Sequence, residues 1–292
     1  MRKVSKFMLG VSLTVTCACL SAAQDSPSAS IPKILEIQRE YVKPGKSGLA
    51  HQKSESLFTQ AMSRAKWPTY YIGMTSLSGK SRALFFTSFS SFDAWEKDSA
   101  AVAKNATLSA ALDHASMVDG ELLDEADQGI FVFHDEMSLR PKPDLSAMRF
   151  MELIVFKVRP GKEKEWSELV KLAKDGYEKG VPDSHWGMFE QVFGGEGGTY
   201  LLLIAHKSLS EVDKGLGNDK QFADAVGEGG MKKFSELIAA SVESTQQQLF
   251  AFDAHMSYAP EAWSKSDPDF WKPKAAAPAK AKPAADDKAA KP

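Results

Sequence analysis

The sequence predicts an α+β fold made of two tandem β-α-β-β-α-β units, on three observations. First, short blocks recur in order. Leu35-Glu36 followed by Val42-Lys43-Pro44-Gly45-Lys46 returns as Met151-Glu152 followed by Val158-Arg159-Pro160-Gly161-Lys162. Pro68 and Gly73-Met74 return as Pro182 and Gly187-Met188, and Phe131-Val132-Phe133 with Met137-Ser138 and Pro141 as Phe250-Ala251-Phe252 with Met256-Ser257 and Pro260. Second, the offset drifts only from 116 to 114 to 119 residues, which marks a repeated unit. Third, strand and helix patterns alternate in the same order within both copies.

Each element follows from its residues. The first strands, Ile34 to Val42 and Phe150 to Val158, are rich in β-branched and aromatic residues. A Pro-Gly-Lys turn then launches a helix. In the second copy Trp166, Leu169, Val170, Ala173 and Tyr177 give that helix one apolar face; in the first copy Leu57, Ala61, Met62 and Ala65 give a weaker one. A hairpin follows, Tyr70 to Leu77 with Arg82 to Phe89, and His185 to Phe193 with Thr199 to His206. The tip Gly194 to Gly198 joins two strands and opens no helix, so it lacks the N–H cradle that holds a phosphate. Ser90-x-x-Asp93 and Ser208-x-x-Glu211 then read as helix caps. Asn105 interrupts the first long helical region, and Gly215, Gly217 and the Gly227 to Gly230 cluster interrupt the second. The last strands are expected at Gly129 to Met137 and Gln248 to Met256.

The units are therefore placed at 34–141 and 149–260. Residues 24–33 and 142–148 are linkers, and 261–292 form an extended Ala/Lys/Pro-rich disordered tail. Arg2, Lys3 and Lys6, an apolar run from Phe7 to Leu20 and the small residues Ser21-Ala22-Ala23 predict a signal peptide over 1–23, cleaved near Ala23, and a periplasmic or secreted protein. Both cysteines, Cys17 and Cys19, lie within it, so the mature chain has neither a disulfide nor a thiol nucleophile. The net charge of −2 hides a basic start, a basic end and about −9 between them, which argues against nucleic acid as a partner. No later segment is apolar enough for a membrane span.

A four-stranded sheet with helices on one face leaves its other face bare, and packing two such sheets face to face covers both. With this element order, the strand-Pro-Gly-Lys-helix opening and the duplicated plan, the chain resembles the ferredoxin-like, dimeric α/β-barrel superfamily. Its likeness is to NIPSNAP and antibiotic-biosynthesis-monooxygenase relatives, in fused form, over Ile34 to Pro260. The resemblance implies an intramolecular α/β barrel and hence a monomer. Members oxidise aromatic compounds without a cofactor, handle haem, or have no known activity; the Asn, Trp and His set of the haem-degrading members has no match here. No cofactor is implied.

In such a fold each pocket lies between sheet and helices, and polar residues on apolar strands are the candidates to line it. Glu36 and Glu152 hold matching places in the first strands, where an apolar surrounding raises a carboxyl pKa toward general acid–base use. His185, Trp186 and His206 on the second hairpin, with His134 and His255 near the final strands, form a second group able to bind a ligand or relay protons. No H-E-x-x-H or H-x-H spacing occurs, so no metal site is expected. Three readings of function follow: an exported binder of a small, largely apolar molecule; a cofactor-independent monooxygenase-like enzyme using Glu36, Glu152 or a histidine; or a structural protein with no pocket.

Overall fold

A computed structural model describes residues 31–141 and 144–272. The expected signal peptide, most of the expected first linker and the end of the expected tail lie outside the described residues. The first unit runs β1 (Ile34–Val42), α1 (Leu49–Ala65), β2 (Tyr71–Ser76), β3 (Arg82–Phe89), α2 (Phe92–Lys104), α3 (Ala106–Gly120) and β4 (Leu123–Phe133). The second runs β5 (Phe150–Val158), α4 (Glu163–Gly180), β6 (Gly187–Phe193), β7 (Thr199–His206), α5 (Leu209–Leu216), α6 (Asn218–Ser241) and β8 (Val242–Phe252). The two lists are the same plan. Between each first strand and first helix, Gly45 and Gly161 take φ of +78° and +76°, a left-handed turn that the Pro-Gly-Lys motif supplies without steric cost.

All eight strands join one antiparallel sheet in the closed order β1-β3-β2-β8-β5-β7-β6-β4. Within each unit the order is that of a ferredoxin-like sheet, the first and third strands in the middle. The units meet along strand edges, not only face to face. Met74 to Ser76 of β2 pair with Phe252 to Phe250 of β8, and Ile130 to Phe133 of β4 pair with residues Phe193 to Phe189 of β6. Side chains alternate across the strands. Leu35, Ile37, Met74, Leu84 and Phe131 of the first unit turn inward and form one core with Met151, Leu153, Phe189, Leu201 and Phe250 of the second.

The repeated Met-Ser motif has a physical role in this closure. Ser138 Oγ donates to the His134 carbonyl at 2.6 Å and accepts from the Met188 N–H of β6 at 2.9 Å. Ser257 Oγ does the same for the other unit, donating to the Asp253 carbonyl at 2.6 Å and accepting from the Gly73 N–H of β2 at 2.9 Å. Each serine thus ties the turn after its own last strand to the second strand of the other unit. Both are buried, so both backbone groups depend on them.

Three sequence expectations need correction. The last strands are Leu123–Phe133 and Val242–Phe252, starting six residues earlier than expected and ending four earlier. Their polar first halves, Asp-Glu-Ala-Asp-Gln and Glu-Ser-Thr-Gln-Gln, resemble helix ends but pair with β1 and β5. The cap of α2 is Ser91, whose side chain accepts from Ala94 N, while Asn105 ends α2 and caps α3 by accepting from Leu108 N. The expected tail does not begin at 261. Helices α7 (Glu261–Ser266) and α8 (Pro268–Trp271) fold back, bury Trp271 against the barrel core, and seat its indole N–H on the Ser146 carbonyl at 2.8 Å. The linker it touches is ordered too, with a 3₁₀ turn at Leu145–Ala147 and a buried Met148. No helix among the described residues is long and apolar enough to cross a membrane.

Candidate functional site

Glu36 is the third residue of β1. Its neighbours Leu35 and Ile37 point into the barrel, so Glu36 points the other way, toward the helices. There it faces a cleft of about 430 Å³ in the first unit. Thr87 and Tyr71 stand beside it on the adjacent strands, because Glu36 pairs with Thr87 and Thr87 with Tyr71 in the sheet register. Phe89, Met62 of α1 and Trp95 and Val102 of α2 supply apolar walls. Trp95 stacks on Phe89 with ring centroids 5.9 Å apart. Asp98 of α2 lines the cleft and is held by hydrogen bonds from the Trp67 indole and the Thr69 hydroxyl.

The electrostatics single out Glu36. Burial pushes its carboxyl up to about 7, and the Asp98 charge adds to the rise. Its protein partner is the side-chain amide of Gln128 on β4. A carboxyl that ionises near neutrality inside a mostly apolar cleft can accept a proton from a bound molecule or donate a hydrogen bond to it. Tyr71 closes one wall. Its hydroxyl has no hydrogen-bond partner among the described residues, and burial, with the charges of Glu55 and Glu40 behind it, raises its pKa well above the usual phenol value.

The second unit has diverged at the matching place. Glu152, the third residue of β5, accepts from the Gln247 amide and lies 3.2 Å from His206 Nε2. Burial alone would raise the Glu152 carboxyl, but the hydrogen bonds from His206 and Gln247 and the His206 charge outweigh it and leave it below the ordinary value. Tyr177 of α4 stacks on Phe222 of α6 at 4.9 Å, and Gly176 admits that ring where a Cβ would come within 2.5 Å of it.

The other expected site residues do not assemble. His185 places Nε2 2.9 Å from the Ala205 carbonyl and Nδ1 3.2 Å from the Asp183 carbonyl, so it braces the chain beside His206 without facing it. Trp186 is buried, donates to the Met137 carbonyl at 2.9 Å and packs edge-on against Tyr177. His134 lies between Glu136 at 2.8 Å and Glu190 at 2.9 Å. His255 is about half exposed, with its ring 3.5 Å from Asp253. Among these candidates Glu36 alone lines the cleft, and Glu152 with His206 forms the one close pair.

Sequence reasoning missed a second group. Glu40 of β1, His51 and Glu55 of α1 and Asp119 of α3 are all buried, and one donor atom from each lies within 4.8 Å of all the others. The sequence expectation rests on linear metal motifs, and this grouping has none. The signal lay in His51 and Glu55, four residues apart on one helix face; the other two come from elements that only the fold brings together.

No protein-family model matches the chain, and no curated protein matches it. Solved structures do. A protein from Fusobacterium nucleatum described as a "putative monooxygenase" matches at 11% identity with a TM-score of 0.50, over 75% of this chain and 91% of the other. A second so described, from Lactobacillus acidophilus, matches at 10% identity and a TM-score of 0.45, over 76% and 94%. A chlorite dismutase variant from Candidatus Nitrospira defluvii matches at 9% and 0.46, over 81% and 95%. At these identities the likeness is one of fold alone, a ferredoxin-like α+β plan.

Proposed function

We propose that the chain is an exported monomer in which two fused ferredoxin-like units pair as one intramolecular barrel, and that the first unit binds a small, largely apolar molecule in the Glu36 cleft. The observation that carries this reading is the cleft itself: about 430 Å³ walled by Phe89, Trp95, Met62 and Val102, with one carboxyl raised to about 7 inside it. An aromatic molecule bearing one hydroxyl fits that chemistry. Its ring lies against Trp95 and Phe89, and its hydroxyl meets Glu36.

Trp95 gives a direct assay. Titrating the chain with 2-naphthol, an aromatic alcohol of suitable size, is expected to quench indole fluorescence saturably, and Val102→Trp, which fills the cleft, is expected to abolish saturation. Quenching that stays linear in wild type, or that survives Val102→Trp unchanged, would refute the pocket. A second reading is favoured by the raised basicity of the Glu36 carboxylate: as a general base it would take the proton of a phenolic or similarly acidic substrate, the opening step of a cofactor-independent monooxygenase-like reaction. In that case Glu36→Gln retains binding and loses turnover. A binder retains both its affinity and its lack of turnover.

A further inference from the structure

Behind the Glu36 cleft the two units differ in one place more than in any other. At the seventh position of β5 the second unit carries Phe156, which packs with Trp166, Leu169, Val170 and Leu237 from α4 and α6. At the seventh position of β1 the first unit carries Glu40, and the facing residues of α1 and α3 are His51, Ser54, Glu55 and Asp119. An apolar plug in one unit is a buried polar cluster in the other. Each of the five is no more than 3% exposed.

Buried ionisable groups are paired or coordinate a metal, because an uncompensated charge in a low-dielectric interior is costly. Here three carboxylates surround one imidazole, and no Lys or Arg among the described residues is paired with them. His51 Nε2 lies 3.1 Å from Glu40 Oε2, 3.4 Å from Asp119 Oδ1 and 3.9 Å from Glu55 Oε1. Donors about 2.0–2.1 Å from a tetrahedral ion lie roughly 3.3 Å from one another, and the three His51 separations bracket that value. Glu55 Oε1 is the second, separate observation: it is buried and has no hydrogen-bond partner. Two outer groups orient the carboxylates, as around metal ligands: Gln38 donates to Glu40 Oε1, the oxygen not facing His51, at 2.5 Å, and the Ser54 hydroxyl donates at 2.6 Å to Asp119 Oδ1, the oxygen that also faces His51.

We propose that Glu40, His51, Glu55 and Asp119 form a site for one divalent first-row transition ion, of the Zn²⁺ or Mn²⁺ kind, that fastens α1 and α3 to β1. One imidazole with three carboxylates suits these ions better than calcium or magnesium, which take oxygen donors alone. Four protein donors, all buried, fill a tetrahedral shell and leave no open position. The ion is therefore structural, the counterpart of the Phe156–Trp166 plug in the second unit.

The test starts from full mature chain stripped with a chelator and dialysed, then titrated separately with Zn²⁺ and Mn²⁺. Elemental analysis is expected to find a single ion per chain, with a clear rise in Tm. Glu55→Gln should weaken affinity by roughly 100-fold or more, while His134→Ala, at the other histidine–carboxylate cluster, should leave it unchanged. Should Glu55→Gln not fold, the wild-type chain decides the matter, since bound Mn²⁺ must broaden the His51 imidazole resonances before those of His134 or His255. Metal content well below one ion per chain with no change in Tm would overturn the proposal. So would equal affinity in wild type and Glu55→Gln, or broadening confined to the other histidines.

Discussion

At the scale of single residues, the two matching glutamates show how one position acquires two characters. Glu36 meets a side-chain amide, a second carboxylate across the cleft and apolar walls, so its carboxyl rises to about 7. Glu152 meets an imidazole and an amide, so its carboxyl falls. The signs of their pH effects are opposite. Because the folded-state pKa of Glu36 is raised, its stability is fully present below its unfolded value near 4.5 and is lost as pH rises through about 7. Glu152, being lowered, stabilises the fold above its unfolded pKa, and that contribution is lost as pH falls through its folded value. Glu36→Gln, which keeps a partner for Gln128, is therefore expected to raise Tm relative to wild type more at pH 8 than at pH 5. Thermal melts across that range check it, and a constant difference would contradict the raised carboxyl. The Met-Ser serines are the other residues with an effect out of proportion to their size. Ser138→Ala or Ser257→Ala strands a buried N–H and should each cost about 1–3 kcal/mol in denaturant unfolding.

At the scale of elements, the Pro-Gly-Lys turns and the β-branched runs made β1 and β5 legible in the sequence with their observed ends, because both strands are apolar along most of their length. The last strands were less legible, since their first halves are polar and mostly exposed, so alternation there carries no burial signal. Helix α1 read weakly for a reason the fold explains. Of its four buried residues, His51, Ser54 and Glu55 are polar, so its buried face carries only a weak apolar stripe. Glu36 could be picked out as a carboxylate in an apolar strand. The His51 cluster could not, because three separate elements contribute to it and each residue alone looks ordinary. Composition also hid the two closing helices: the low-complexity end begins just after Trp271, and its neighbours Trp263 and Phe270 pack directly on that indole. Arg149 adds an ion pair to Asp267 and stacks on Phe270 at 4.0 Å. Trp271→Ala should therefore cost about 3–5 kcal/mol in chemical unfolding, against near zero for a truly unstructured tail.

At the scale of the whole molecule, the closed strand order uses up every sheet edge, and the inner faces of both units share one core. An edge that is already paired offers no template for a second copy. This arrangement leaves the units free to diverge on their helical sides. The second unit fills its side with Tyr177, Phe222 and Phe156; the first keeps a cleft and a buried polar cluster. The proposed binding function accordingly belongs to the first unit, with the second as its structural partner. The most direct measurement is native mass spectrometry of residues 24–292 expressed in the native host, beside the Val102→Trp variant. The account predicts one chain carrying one organic molecule that leaves on denaturation, and a Val102→Trp chain without it. A mass of two chains, or a wild-type chain free of any organic adduct, would contradict it.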